Sequence, residues 1–368
     1  MILLPEITSD FVDRTSMYLH YDKIYTMHEK RPPLKALILL TTLNVEDLPK
    51  VLLEREKAAR SYSVNVRSLG QSLHRMSLQR VIGLRQIRTD AIIDSGCEGV
   101  WIVLTDAGSY YTAHVLETFF DKLYPMVSKL SLNYSQMRSL LRIIRESCNG
   151  KITLTFFTIK RTKAPESEEN GACQYNEETE ILWGENVDED IKERISEGFI
   201  VRVDRLDFEL RDDADAMVLK AQISRKGLSK LKFGSFSVFY QNVVFNAIEY
   251  GRERKKFYDK RERNFEGGRI HLRPLQINYL ERFREEQLRR FARKITDSYS
   301  ISIIHGGNPY FVADLCDYQD GSSFGVAILG NSITVTPVTR ATPSAVWKLL
   351  GEIQEILGDG EIVDVKMG

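Results

Sequence analysis

The sequence has few of the features that disclose a protein's class. It contains only four cysteines, which lie far apart and have no neighbouring histidine: Cys97, Cys148, Cys173 and Cys316. This spacing argues against a zinc site and against a disulfide framework. No apolar run approaches the roughly 18 residues of a membrane span, and the apolar start 1–4 is too short for a signal peptide. We therefore expect a cytoplasmic protein with reduced thiols and no membrane partner.

Catalytic signatures are also missing. Neither a G-x-x-x-x-G-K-[ST] phosphate loop nor a G-x-G-x-x-G dinucleotide fingerprint occurs, which argues against nucleotide hydrolysis. Residues 321–325 match the G-x-S-x-G nucleophile pattern, but no histidine follows His305, and a hydrolase triad needs one after the serine. The sequence therefore predicts a non-enzymatic protein without a catalytic residue, a metal site or a cofactor.

The formal net charge of zero conceals a strong segregation of charge along the chain. Residues 165–215 hold eighteen acidic against five basic residues, whereas residues 225–295 hold nineteen basic against eight acidic residues. A protein of this kind can use a basic surface for phosphates and an acidic surface for docking. The acidic segment 165–215 is therefore a candidate site for a partner protein.

The most informative stretch is 34–120, where three helices are predicted in succession. Pro32 and Pro33 disfavour helix before Leu34, and leucines at helical spacing predict a first helix over about 34–43. A second, amphipathic helix is predicted over about 45–60. The third, over about 64–78, has an apolar stripe and a polar face. This polar face carries Arg67, Gln71, His74 and Arg75.

These side chains suit a helix that reads a DNA groove. Arginine reaches the acceptor edge of guanine, glutamine bridges adenine, and both bond to phosphates. Beyond the third helix we predict a wing, with a first strand near 81–84, a loop over about 89–98 and a second strand over 99–104. A helix capped by Thr105 should follow. The predicted DNA contacts are Arg67, Gln71, His74, Arg75, Arg80, Arg85 and Arg88.

The second wing strand runs directly into Leu104-Thr105-Asp106-Ala107-Gly108. With the basic helix upstream of it, the segment 34–120 resembles the DNA-binding domain of MarR-like and PadR-like winged-helix regulators, where a leucine-threonine-acid-x-glycine junction is common. The resemblance covers about a quarter of the chain. It implies a homodimer that binds double-stranded DNA and regulates transcription, or a replication or partition factor. Gly70 departs from a helical pattern, since glycine costs about 1 kcal/mol relative to alanine. The alternatives are a winged helix used for protein contacts and an ordinary helical region with a solvated basic face.

The chain as a whole is predicted to be α+β and multidomain. Residues 1–148 form the winged-helix domain with extra flanking helices, 149–296 a mixed α+β middle domain, and 297–368 a small antiparallel α+β module. Beyond the winged helix, helices are expected over about 121–130, 133–146, 188–196, 231–250 and 275–295. Strands are expected over about 152–159, 199–208, 299–304, 310–317, 324–329, 332–338 and 361–365. A last helix is expected over 343–357, and Gly330-Asn331 should form a tight turn.

Two further clusters carry chemistry. A secondary basic patch, next to Phe257 and Tyr258, suits phosphate contact with stacking on bases; its alternative is a solvated helix extension. It comprises Arg252, Arg254, Lys255, Lys256, Lys260 and Arg261.

Acidic residues over 204–215 offer a second reading of the chain. Asp207 and Glu209 share a strand face by alternation, whereas Asp204 does not. Carboxylates bind Mg²⁺, so a metal-dependent nuclease in the middle domain, with the winged helix as a docking element, is the alternative function. An acidic strand edge without metal is the simpler interpretation.

Overall fold

The protein is described here by a computed structural model, which covers residues 13–27, 31–54, 62–82, 85–163, 177–184, 187–196, 199–259, 264–266, 269–271, 274–307 and 310–365. The chain is mixed α+β and divides into two compact units. Unit 1 comprises 1–157, 183–185 and 205–252, and unit 2 comprises 158–182, 186–204 and 253–368. Within the described residues, no helix is long and apolar enough to cross a membrane.

The first half of unit 1 supplies a helix, the first strands of the sheet and the helices between them. In chain order the elements are α1 (Arg14–Met27), β1 (Leu34–Thr41), α2 (Leu48–Glu54), β2 (Tyr62–Gly70), β3 (Leu73–Ile82), β4 (Arg85–Cys97) and β5 (Val100–Thr105). Helix α3 begins at Ser109–Tyr111, continues as a π-helical turn over Thr112–Glu117 and ends with Thr118–Asp121. Strand β6 (Val127–Lys129) and α4 (Tyr134–Cys148) follow.

The later strands complete this sheet. They are β7 (Lys151–Lys163), β8 (Glu177–Trp183), β9 (Phe199–Arg211), β10 (Met217–Ser224) and β11 (Leu228–Gly234), with α5 (Val187–Ser196) between β8 and β9. Helix α6 comprises Phe236–Val238, a π-helical stretch Phe239–Val244 and Phe245–Asp259. The strand order is β2-β3-β4-β5-β1-β11-β10-β9-β7-β8, and β6 pairs with β1.

The first predicted helix is wrong, because residues 34–41 form strand β1 in the middle of the sheet. All eight of its residues are buried, and it pairs antiparallel with β5 on one side and with β11 and β6 on the other. A strand covered on both faces is apolar throughout and shows no alternation. A short apolar run of this kind fits helix and strand equally well.

The predicted recognition helix is also wrong, because residues 62–82 form the hairpin of β2 and β3. Gly70 and Gln71 take positive φ angles of 132° and 46° at its turn, a conformation that a helix interior forbids. The turn converts the apparent helical spacing of Val66 and Met76 into a cross-strand pair. Residues 34–121 therefore do not have the order of elements that a winged helix requires.

Several neighbouring predictions need correction. The wing loop over 89–98 is part of strand β4, and helix 121–130 is a turn followed by β6. The helix after β5 is present, but Thr105 does not cap it: its hydroxyl donates to the carbonyl of Asp90. The helix expected over 231–250 begins only at Phe236, after β11. The strand predicted over 99–104 is confirmed as β5. The helix predicted over about 45–60 is confirmed over Leu48–Glu54, and its residues 55–60 lie outside the described residues.

The two faces of this sheet are distinguished by the helices that cover them. On the first, here called the α3 face, alternate residues of β1 to β5 form a buried core with α2 and α3. This core includes Leu37, Met76, Leu78, Phe119 and Phe120. The opposite face, here called the α1 face, carries the other set of alternating residues. There Asp94 of β4 bonds to α1 and α6, through Arg14 and Tyr240.

Unit 2 contains the C-terminal sheet. Its elements are β12 (Asn264–Glu266), β13 (Arg269–His271), β14 (Leu275–Asn278), α7 (Glu285–Lys294), β15 (Tyr299–Gly306), β16 (Tyr310–Asp317), β17 (Ser323–Leu329), β18 (Ser332–Thr339), α8 (Pro343–Leu357) and β19 (Glu361–Asp364). The strand order is β15-β16-β17-β18-β14-β19, and neighbouring strands in this order pair antiparallel.

The elements predicted for residues 297–368 are confirmed. The four-strand meander, helix α8 and the last strand agree with the expected bounds to within one or two residues. Gly330, with φ at 62°, forms the tight turn between β17 and β18 with Asn331. The helix expected over 275–295 is wrong in its first half, because Leu275–Asn278 pairs with both β18 and β19 as a strand.

Candidate nucleic-acid interface

Three of the predicted DNA contacts lie together on the α1 face of the outer strands. Arg67 is on β2, Arg75 on β3 and Arg88 on β4. The registers place Arg67 directly opposite Arg75, and Gln79 of β3 directly opposite Arg88. Alternation then turns all three arginines to the same side of the sheet. Arg67 and Arg88 are exposed, and Arg75 is half-buried.

An acidic residue, Asp90, also lies on this surface. Its carboxylate lies 3.9 Å from Arg75 and 3.6 Å from Arg88. It also accepts a hydrogen bond from the hydroxyl of Ser77. One carboxylate is thus shared by two of the three arginines, Arg75 and Arg88.

The remaining side chains of the surface are mostly small and polar. By register, Ser63 faces Gln79 and Asn65 faces Ser77 on the same side as the arginines. The exposed strand face of β2 to β4, here called the arginine face, comprises Ser63, Asn65, Arg67, Arg75, Ser77, Gln79, Val81, Gln86, Arg88 and Asp90. Because β2 is the outermost strand in this order, the β2–β3 ribbon lies at the edge of the sheet.

The structure does not bring the other four predicted contacts to this surface. Gln71 lies in the β2–β3 turn. His74 is buried on the α3 face, 3.3 Å from the hydroxyl of Ser95. Burial lowers the pKa of His74, so the ring is neutral at pH 7 and unsuited to phosphate.

Two arginines of the predicted set also point to the α3 side. Arg80 donates to the carbonyl of His114, and its guanidinium lies 5.2 Å from the ring centroid of Tyr62. It therefore joins β3 to α3. Arg85 alternates with Arg88 on β4 and lies on the opposite side of the sheet from the arginine face.

The secondary basic patch falls only partly within the described residues. Arg252 and Lys256 lie on α6, and Arg252 pairs with Glu249 at 2.9 Å one helical turn away. Exposed pairs of this kind belong to a solvated helix surface. The backbone of Arg254 and Lys255 is helical, but their side chains, like the whole of Lys260 and Arg261, lie outside the described residues.

The carboxylates considered for a metal do share a strand face, as predicted, because Asp207 faces Gln222 and Glu209 faces Lys220 in the β9–β10 register. Each is occupied by basic side chains. Asp207 pairs with Arg205 at 3.1 Å and with Lys232, while Glu209 pairs with Lys220 at 2.8 Å and Arg211 at 3.3 Å. The hydrogen bond from Lys220, and to a lesser extent Arg211, lowers the pKa of Glu209.

Among the residues that the structure describes, no group of three histidine, cysteine or acidic side chains is arranged to hold a metal ion. Asp207 and Glu209 therefore read as members of an ion-paired strand surface. This geometry favours the simpler of the two interpretations drawn from the acidic segment.

The comparisons with known proteins add no identification. No protein-family model matches this chain, and no curated protein matches it.

Proposed function

We propose that this chain binds double-stranded DNA through the arginine face. The observation that carries the proposal is the direct opposition of Arg67 and Arg75 on neighbouring strands. Two guanidinium groups on adjacent strands can bind one anion together, and a DNA phosphate is such an anion.

The form of the surface favours duplex over single-stranded nucleic acid. Proteins that bind single strands stack bases on aromatic side chains, and within the described strands β2 to β4 the arginine face has none; Tyr62 points to the other face. A two-stranded ribbon fits the major groove of B-DNA. The β2–β3 ribbon, at the edge of the sheet, is accessible for that geometry.

Amide side chains beside the arginines favour sequence reading. Asn65 and Gln79 lie on the arginine face, and asparagine and glutamine bind adenine edges bidentately. We extend the proposal on this basis to a sequence-reading regulator. Selection of bound duplexes from a random pool tests this extension: an enriched motif supports it, an enriched palindrome would in addition indicate two bound copies, and no enrichment refutes sequence reading.

The binding surface itself is tested with a triple variant, Arg67→Gln, Arg75→Gln and Arg88→Gln. A matched control removes the same number of positive charges from exposed positions elsewhere in unit 1, as Arg142→Gln, Arg145→Gln and Lys151→Gln. Fluorescence anisotropy with a labelled duplex measures the Kd of both. We expect the first variant to bind at least about 10-fold more weakly, since one bond to a charged group contributes roughly 1.5–3 kcal/mol.

The control should stay within about 3-fold of the unsubstituted protein, the range expected of surface changes that touch no ligand. Equal weakening of both variants would show that binding follows total charge, not this face. Circular dichroism of each variant shows whether the sheet is retained.

A further inference from the structure

A row of polar side chains crosses the α3 face of the sheet, where β1 to β5 otherwise present apolar residues. Thr105 of β5 is opposite Lys35 of β1, and Lys35 is opposite Lys230 of β11. The row continues through Gln222 of β10 to Asp207 of β9. Burying polar groups in this way is costly unless they are paired.

The row is largely buried within unit 1. Thr105, Lys35, Gln222 and Asp207 are between 1 and 4% exposed, whereas Lys230 is only half-buried. The Lys35 ammonium donates to the carbonyl of Ala107. Of the residues in this row, Lys230 is therefore the one that a solute can contact from solvent.

Positive charge is concentrated around Lys230. Arg205 and Lys232 flank it, and both pair with Asp207, with Arg205 at 3.1 Å. Lys35 lies on its other side. Together these are four cations; the carboxylates beside them are the buried Asp207 and, next to Lys35, the half-buried Asp106. Glu117 also faces Lys230, but its own carboxylate pairs with Lys129 at 3.2 Å.

The charges in this cluster repel one another in the absence of an anion. Burial, together with the charges of Arg205 and Lys232, lowers the pKa of Lys230. Burial and Lys230 in turn lower the pKa of Lys35 to about 8. An anion at this position relieves both effects, since an opposite charge favours the charged form of an amine.

An aromatic wall borders the same cluster. The ring of Phe156 lies beneath Arg205 at 5.0 Å and Lys232 at 4.9 Å. Trp183 lies 5.3 Å from Phe156, measured between ring centroids, and is 76% exposed. A large, exposed indole beside a cation cluster is what a planar base attached to a phosphate requires.

We propose that Lys230, Lys232 and Arg205, with Trp183, form a binding site for a nucleoside phosphate. The phosphate lies among the three cations and the base stacks on the exposed indole. Lys35 contributes its charge from the buried side of the row. The site is on the face of the sheet opposite to the arginine face, so it does not depend on the proposed binding of DNA.

The probe for this site is AMP, with adenosine and inorganic phosphate as comparisons. Trp183 is its built-in reporter, because Trp101 and Trp347 are only 2 and 6% exposed. We expect AMP to quench the Trp183 fluorescence. AMP should bind more tightly than inorganic phosphate and far more tightly than adenosine. Isothermal titration calorimetry measures the same affinities without relying on tryptophan.

Three substitutions test the assignment of residues. Lys230→Met should weaken AMP binding by at least about 10-fold, since a bond to a charged group is lost. Trp183→Phe should remove the fluorescence signal, and Trp183→Ala should weaken AMP by about 10-fold while leaving inorganic phosphate unchanged. Lys226→Gln, in the exposed turn between β10 and β11, should have no effect.

Lys232→Met is the second variant should Lys230→Met fail to fold, because the Lys232 side chain is 28% exposed. Absence of AMP binding at about 10 mM, a concentration far above ordinary nucleotide affinities, would overturn the proposal. So would unaltered binding by a folded Lys230→Met or Lys232→Met protein. Equal affinity for AMP and inorganic phosphate, unchanged in Trp183→Ala, would overturn the nucleoside part. The triple arginine variant should bind AMP normally, which separates this result from the test for DNA.

Discussion

Replacement of Asp94 by asparagine should cause the largest loss of stability among conservative changes to the α1 face. The Asp94 carboxylate has no exposed surface. It accepts hydrogen bonds from Arg14 Nε at 2.6 Å and Nη2 at 2.7 Å, and from the hydroxyl of Tyr240 at 2.7 Å. The hydroxyl of Ser72 at 3.1 Å and the amide of Gly96 at 2.9 Å complete the set. This one group therefore joins α1, β4 and α6.

The expected magnitude follows from burial. Removing one partner of a buried pair costs about 3–5 kcal/mol, and because the Arg14 side chain is 31% exposed, solvent screening places the loss near the lower end, at about 3 kcal/mol. Tyr240→Phe removes a single hydrogen bond to the same carboxylate. Its loss should be about half as large, roughly 1.5 kcal/mol.

The effect of Asp94 depends on pH in a definite direction. Burial acts to raise its pKa, but the hydrogen bonds from Arg14, Tyr240 and Gly96 outweigh burial and hold the pKa below its usual value. A carboxyl whose pKa is depressed by folding stabilises the protein above its unfolded pKa, about 3.9, and loses that contribution as the pH falls through its folded pKa. The difference between Asp94→Asn and the parent should therefore shrink below about pH 4.

Urea unfolding followed by fluorescence measures these losses. In a Trp347→Phe background the buried Trp101 reports on unit 1. A double-mutant cycle with Arg14→Met isolates the coupling between the two charges. A loss below about 1 kcal/mol for Asp94→Asn, the size of an ordinary substitution, would refute the role given to this carboxylate.

Three further predictions concern pH and backbone geometry. Burial and Lys230 lower the pKa of Lys35 from 10.5 to about 8. Between about pH 8 and 10.5 the unfolded chain therefore binds more protons than the folded protein, and the unfolding temperature should rise with pH. Lys35→Met should abolish this rise. Burial raises the pKa of Glu352 to about 7, so stability of unit 2 should fall with pH from about 4.5 to 7, and Glu352→Gln should flatten that profile in denaturant titrations. Gly234 has φ at 102° and its Cβ position meets the Val218 carbonyl, so Gly234→Ala should lose at least about 2 kcal/mol in urea, whereas Gly184→Ala, with a similar φ of 109° and open space, should lose about 1 kcal/mol.

Where alternation and turn residues agree, the strands could be predicted from sequence. The C-terminal meander is half-exposed, so apolar and polar residues alternate along β16 and β17, and Gly330-Asn331 separates β17 from β18. Strand β1 could not be distinguished in this way, because burial of both faces removes the alternation on which the distinction depends. Its eight residues show an apolar pattern that a buried helix of two turns would also show.

The β2–β3 hairpin was hidden by coincidence. Val66, Leu69, Leu73 and Met76 recur at three to four residues. In the structure, however, the strand register shifts at Leu69, and the chain reverses between Leu69 and Leu73. Gly70 was the residue that signalled the turn. A glycine in a proposed helix interior is more economically explained by a positive φ.

The arginine face was found in part and the polar row was missed. Arg67, Arg75 and Arg88 were selected for their charge, and the hairpin, not a helix, brings them to one surface. The polar row is assembled from five strands that span residues 35 to 230, so no local pattern reveals it. Its one local signal was Lys35, a lysine inside an apolar run.

The salt dependence of duplex binding tests the central claim most directly. The logarithm of the association constant falls with the logarithm of salt concentration by about 0.9 for each phosphate contact. Because Arg67 and Arg75 share one phosphate and Arg88 contacts another, the Arg67→Gln, Arg75→Gln, Arg88→Gln protein should show a slope shallower by about 1.8. The Arg142→Gln, Arg145→Gln, Lys151→Gln control should keep the parent slope. Identical slopes for all three proteins would contradict binding of DNA through the arginine face.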